Sequence, residues 1–268
     1  MTAIDPQFTD SLGDFEKRQV TLLGKTKTVY VAGSGPAVIV MAEIPGISPY
    51  VSRFARWVRD AGLTVYMPSL FGTDGVLPGQ GRAMLTLARA CISKEFRAFA
   101  SNASSPVTQW LRALAAAAHE ECGGKGVGAI GMCFTGNFAL SMMLENSVIA
   151  PVLSQPSLPM HNPSGLAIAP DELAAVKARM EAEDLTVRAY RFEGDSFCRA
   201  ERFAAYAEAL GDRFVGTVLP DSAANPDAPL KTPHSVVTLH LIDEAGQPTV
   251  QARDEILDFF RARLIGDQ

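Results

Sequence analysis

Cys133 lies in GAIGMCFTGNFAL, residues 128–140, between an apolar run that reads as a strand and a segment with helical spacing. A nucleophile at such a strand-to-helix turn takes up a strained backbone so that its side chain projects beyond the sheet edge. Small neighbours such as Gly131, Thr135 and Gly136 are what that turn tolerates. A thiol at a helix N-terminus also gains from exposed N–H groups and the helix dipole, which favour the nucleophilic thiolate. A cysteine at a strand-helix junction is more often a packed structural residue, so its partners must decide.

A thiolate nucleophile needs a group that carries protons and a group that orients the carrier. Three histidines follow Cys133: His161, His234 and His240. His234, in LKTPHSVVT, comes after the last strand-like run and a Pro-rich loop and before a terminal helical segment. That is where the base belongs when nucleophile, acid and histidine follow one another along an α/β chain. His240, in VTLHLID, is either a packing histidine or a rival for that role; His161, in LPMHNPSG, comes too early and at most borders a pocket. Asp195, in RFEGDSF, stands at a strand end from which a carboxylate can hold an imidazole in one tautomer. An aspartate there also serves as a turn former or helix cap.

The elements around these residues alternate. EKRQVTLLG and KTVYVAG read as an opening hairpin, and AVIVMAEI, LTVYMPSL, KGVGAIGM, VIAPVLSQPSL, LTVRAYRFEG and FVGTVLP as further strands. Helical segments lie between them: SPYVSRFARWVRDAG, RAMLTLARACISKEFRAFA, VTQWLRALAAAAHEE, FTGNFALSMMLE, ELAAVKARMEAE, AERFAAYAEALG and RDEILDFFRARL. The expected fold class is α/β, with about eight mostly parallel strands and helices on both faces, in one domain over 1–268 with 1–20 as an N-terminal extension.

The 268 residues are 47% hydrophobic and 20% charged, with a formal net charge of −5, which fits an enzyme rather than a disordered or polyanion-binding chain. Nucleic acid is not an expected partner. No apolar run approaches the length of a membrane span, and the acidic N-terminus does not read as a secretory signal. Cys91, Cys122, Cys133 and Cys198 are scattered without metal-ligand spacing. The expectation is a cytoplasmic protein with reduced thiols and neither metal nor cofactor.

Four separated motifs, in order, resemble the dienelactone hydrolase family, the cysteine members of the α/β-hydrolase fold: AEIPGIS, GMCFTG, FEGDSF and PHSVVT, with PSLFG a further likeness. The resemblance implies that Cys133, Asp195 and His234 form a triad. It also implies that Ile44 and Phe134 supply the oxyanion N–H groups, and that Glu43 contacts the resting nucleophile and keeps it neutral. The implied activity is hydrolysis of a small ester or lactone, carboxymethylenebutenolidase-like, through a thioester. Three positions depart from the pattern. Thr135 replaces a glycine, Thr238 stands where a substrate-gripping arginine is expected, and Ser93 stands where a tyrosine is expected, while Arg89 keeps its match as a substrate ligand. Thr135 and Thr238 motivate one alternative, a binding protein that has lost turnover; a second is a redox sensor in which Cys133 is oxidised and resolved by another thiol such as Cys198.

Overall fold

The strands at the middle of the sheet are apolar throughout because both of their faces are covered. All residues of β3 (Ala37–Met41), β4 (Thr64–Pro68) and β5 (Val127–Met132) are buried. A computed structural model describes residues 9–92 and 105–266. The other strands are β1 (Glu16–Leu22), β2 (Lys25–Gly33), β6 (Val148–Ser154), β7 (Val187–Phe192) and β8 (Phe214–Leu219), and the eight form one sheet in the order β1-β2-β4-β3-β5-β6-β7-β8. Strands β1 and β2 are antiparallel to each other and β2 is antiparallel to β4, whereas every pair from β4 to β8 is parallel. Of the segment read as an extension, residues 16–20 belong to β1.

Helices α1 (Pro49–Asp60) and α7 (Pro248–Leu264) cover one face, with Phe54, Val58, Ile256 and Phe260 in the core between. The other face carries α3 (Pro106–Cys122), α4 (Phe138–Met142), α5 (Pro170–Ala182) and α6 (Ala200–Leu210), packed through Trp110, Leu114, Phe138, Met180 and Tyr206. Helix α2 (Gln80–Ile92) lies in the connection that follows β4. Ser48 and Ser105 cap α1 and α3, each followed by a proline in the first turn.

One element differs from its sequence reading. FTGNFALSMMLE is not one helix: Cys133–Thr135 form a 3-10 turn and α4 holds only Phe138–Met142. The apolar spacing is helical, but the chain must reach the adjacent parallel strand β6 by Val148, which leaves no room for a long helix.

The chain crosses from β4 to β5 around β3, so the strand order switches direction at β3 and β5, where open α/β sheets place their ligand crevice. Glu43 follows β3 and Cys133 follows β5.

The N-terminal segment is clamped to α1. Arg56 pairs with Asp10 at 2.5 Å and with Asp14 at 2.7 Å, and Arg59 pairs with Asp14 at 2.7 Å. Hydrogen bonds from Arg56 hold the Asp10 carboxyl at about 2, against the smaller opposing effect of burial. A carboxyl lowered in this way contributes stability that is present above the unfolded value of about 3.9 and lost as pH falls toward 2. Urea unfolding of wild type should therefore steepen in its pH dependence below about pH 4, and Arg56→Leu should remove part of that dependence.

Candidate active site

Cys133 has φ +54, a left-handed conformation that is uncommon for a residue with a side chain. Its neighbours explain how the turn is held. A Cβ on Gly131 would lie 2.0 Å from the Thr135 carbonyl oxygen, and one on Gly136 would lie 2.5 Å from Pro156 Cα. Thr135 is fully buried; its hydroxyl accepts from Met132 N–H at 2.9 Å and lies 3.0 Å from the Met41 carbonyl, tying the turn to the end of β3. The departure from glycine at this position thus adds a fastening. Because α4 is short and begins at Phe138, the long-helix dipole expected behind the thiol is absent, and the polar surroundings of the sulfur come from side chains instead.

His234 and Asp195 provide the first of these. His234 Nδ1 lies 2.7 Å from Asp195 Oδ2, with both residues 3% exposed. The other carboxylate oxygen accepts from the N–H groups of Phe197 at 2.8 Å and Cys198 at 3.0 Å, which fixes the acid. A carboxylate only accepts, so the proton is held on Nδ1 and Nε2 is left to face the sulfur. Burial presses the imidazolium pKa down, but the charge of Cys133 and the hydrogen bonds to Asp195 and Cys133 outweigh it and raise His234 well above its ordinary value.

Ser157, after β6, was not singled out in the sequence. Its N–H donates to the Cys133 carbonyl at 3.0 Å, and its hydroxyl lies 3.4 Å from Cys133 Sγ and 3.5 Å from His234 Nε2. A hydroxyl there stabilises a thiolate by donating to it. A hydrogen bond to a charged group contributes about 1.5–3 kcal/mol, so Ser157→Ala should slow iodoacetamide alkylation of Cys133 roughly tenfold or more at neutral pH. An unchanged labelling rate would remove Ser157 from the chemistry.

His240 does not face the sulfur. Its Nδ1 accepts from Ser235 N–H at 3.1 Å and from His234 N–H at 3.4 Å, and its Nε2 lies 2.8 Å from the Leu230 carbonyl. Burial lowers its pKa, which keeps the ring neutral and Nδ1 free to accept. His161 is exposed and outside the cavity lining.

Glu43 is buried, and its carboxylate accepts from Thr238 Oγ1 at 2.5 Å, Ser235 Oγ at 2.7 Å and Gln155 Nε2 at 3.3 Å. Gln155, at φ +37, also receives Val236 N–H at 3.3 Å. The acid expected on the nucleophile thus fastens the loop that carries His234 to the ends of β3 and β6. Thr238 belongs to that fastening and does not reach the cavity.

A cavity of about 740 Å³ opens over Cys133. Glu43, Ile44, Cys133, Phe134, Ser157 and His234 share its wall. Arg89, expected as a substrate ligand, is exposed on α2 and outside the lining; α2 turns Ala83, Met84 and Leu87 to the cavity instead. Ser93 lies outside the described residues. Among the described residues, no cluster of three His, Cys, Asp or Glu is arranged to hold a metal ion, and no helix is long and apolar enough to cross a membrane.

A family model for the dienelactone hydrolase family matches residues 21–194. A comparison with curated proteins finds no match. Among solved structures, the chain is similar to a Klebsiella pneumoniae subsp. pneumoniae MGH 78578 protein assigned as a dienelactone hydrolase, at 15% identity and a TM-score of 0.62 over 91% of this chain and 98% of that one. It is similar to Est2, a thermophilic esterase of Thermogutta terrifontis, at 12% identity and a TM-score of 0.57 over 96% of both chains. It is also similar to P91, a dienelactone hydrolase-like promiscuous phosphotriesterase from metagenomic libraries, at 17% identity and a TM-score of 0.58 over 94% of this chain and all of that one. At such identities the structures speak for the α/β-hydrolase fold. The matched span holds Glu43 and Cys133 and ends one residue before Asp195. With most of its length inside that match and the sheet order described above, the chain belongs to the dienelactone hydrolase family of hydrolases.

Proposed function

We propose that the protein hydrolyses small esters or lactones through a thioester on Cys133. The observation that carries this reading is the buried Asp195–His234 pair at 2.7 Å, aimed at a sulfur held at φ +54. The thiolate adds to the substrate carbonyl, and the N–H groups of Ile44 and Phe134 receive the oxyanion. As the tetrahedral adduct collapses, the carbon–oxygen bond to the leaving group breaks and His234 delivers its Nε2 proton to the departing oxygen. Neutral His234 then takes a proton from water, the hydroxide adds to the thioester, and loss of the acid restores thiolate and imidazolium. Asp195 keeps the ring in one orientation through both half-reactions. Glu43 acts from its anchored position, holding the His234 loop.

Two observations weigh against the alternatives. Thr135 fastens the elbow through hydrogen bonds to the ends of β5 and β3, which counts against a turnover-dead binder. Cys198 is fully buried, and burial first, then Asp195, pushes its thiol well up, which makes it a poor resolving thiol. The unpaired Cys122, Cys133 and Cys198 fit a reducing compartment such as the cytoplasm.

Mass spectrometry tests the reading. Rapid quenching during turnover of p-nitrophenyl acetate should show one acetyl group, mapping to the peptide that contains Cys133 and absent in Cys133→Ala. Turnover with no acyl-protein, or with the acyl group on another residue, would overturn it.

A further inference from the structure

We infer that the site selects uncharged esters with an extended apolar group and turns away substrates that carry a free carboxylate. The inference rests on the hydrolase reading above and concerns which esters that site accepts.

The wall of the cavity is mainly apolar, with Leu77, Met84, Leu87, Phe134, Phe197 and Leu230 contributed by four separate segments. The apolar surface continues through the mouth, where Met84 is 64%, Met160 47% and Phe197 44% exposed. Apolar side chains left this open at a cavity rim gain from any acyl or alcohol chain that covers them.

The charges point the same way. His234 is already paired with Asp195 at 2.7 Å. Of the remaining charged groups among the described lining residues, Glu43 and Asp227 are acidic and Lys231 alone is basic. Lys231 is exposed and its ammonium donates to the Pro226 carbonyl at 3.1 Å. The two positions where an arginine grip was sought offer none, since Thr238 is fully buried against Glu43 and Arg89 is exposed and outside the cavity lining. A carboxylate carried into this space would lose its hydration and meet two acidic side chains against a single lysine among the described lining residues. Selection by such repulsion needs no clash of shape.

The test compares p-nitrophenyl esters of rising acyl length with mono-p-nitrophenyl adipate, whose chain matches the heptanoate ester in size but ends in a carboxylate. For the full-length protein near neutral pH, kcat/KM should rise roughly two- to fourfold per added methylene until the cavity fills. The adipate monoester should lie at least about tenfold below heptanoate at low salt, with the gap narrowing as salt screens the acidic groups. Asp227→Lys, outside the reacting groups, should narrow that gap severalfold, and Met84→Glu should flatten the length dependence. A carboxylate-ended ester turned over as fast as its neutral counterpart, or a flat response to chain length, overturns the inference while leaving the thioester mechanism standing. Failure to hydrolyse any ester faster than Cys133→Ala overturns both.

Discussion

His234→Ala should lower kcat/KM for ester hydrolysis by roughly a thousandfold or more, whereas His240→Ala should lower it by about tenfold or less. The two rings lie six positions apart and both are buried, so burial does not separate them; their partners do. His234 has a carboxylate at 2.7 Å on one nitrogen and the reacting sulfur on the other side, with Asp195 and Cys133 raising its proton affinity. Its loss removes both the acid that protonates the leaving oxygen and the base that activates water. His240 spends both nitrogens on backbone groups, two N–H donors and one carbonyl. Removing it leaves buried backbone groups unpaired at about 1–3 kcal/mol each, so its main effect should be on unfolding free energy, with activity falling only as far as the loop shifts. Two measurements on each variant decide: kcat/KM corrected for folded fraction, and urea unfolding. A severe activity loss in His240→Ala with a mild one in His234→Ala would transfer the proton chemistry to residue 240.

What the sequence made legible follows from where information is local. The continuous apolar runs of β3 and β5 state their own burial, and Cys133 and Asp195 announce themselves because each follows a strand and carries a reactive group. The meeting of Cys133, Asp195 and His234 was readable because parallel strands deliver their following loops to one edge of the sheet. The fastening of Glu43 was not readable. Ser235, Thr238 and Gln155 are ordinary polar residues in their own segments, and their common target emerges only when the loops after β3, β6 and β8 meet. Ser157 has no local mark for the same reason. Arg89 was misplaced by a different limit: helical spacing identifies an apolar stripe but does not say which residue at its margin faces a cavity. The brief α4 shows local propensity yielding to topology, since Phe138–Leu144 has a helical composition but the chain must reach β6.

Gly131→Ala should damage both stability and activity, more than its single methyl group suggests. The added carbon would lie 2.0 Å from the Thr135 carbonyl oxygen and 2.7 Å from its carbonyl carbon. No rotamer change relieves a contact with backbone, and Thr135 is itself fixed by hydrogen bonds to Met132 and Met41. Gly131 cannot retreat either, because it lies in β5 opposite Met41 of β3 and Leu153 of β6. The turn must therefore open, at a cost of about 3 kcal/mol or more for a change that strains the backbone in a packed core. An opened turn moves the sulfur relative to His234 Nε2, and a displacement near 1 Å is enough to lower turnover about a hundredfold. Gly136→Ala tests the same turn from its other side, with 2.5 Å to Pro156 Cα, and supplies a second reading where Gly131→Ala does not fold. Gly81→Ala is the control: it lies in α2 with nothing within 4 Å of the new carbon, and should be neutral or stabilising by up to about 1 kcal/mol. Thermal unfolding with kcat/KM on the folded fraction separates the two effects. Wild-type turnover in a folded Gly131→Ala would mean that the reacting thiol does not depend on this turn, and the nucleophile would have to be sought elsewhere.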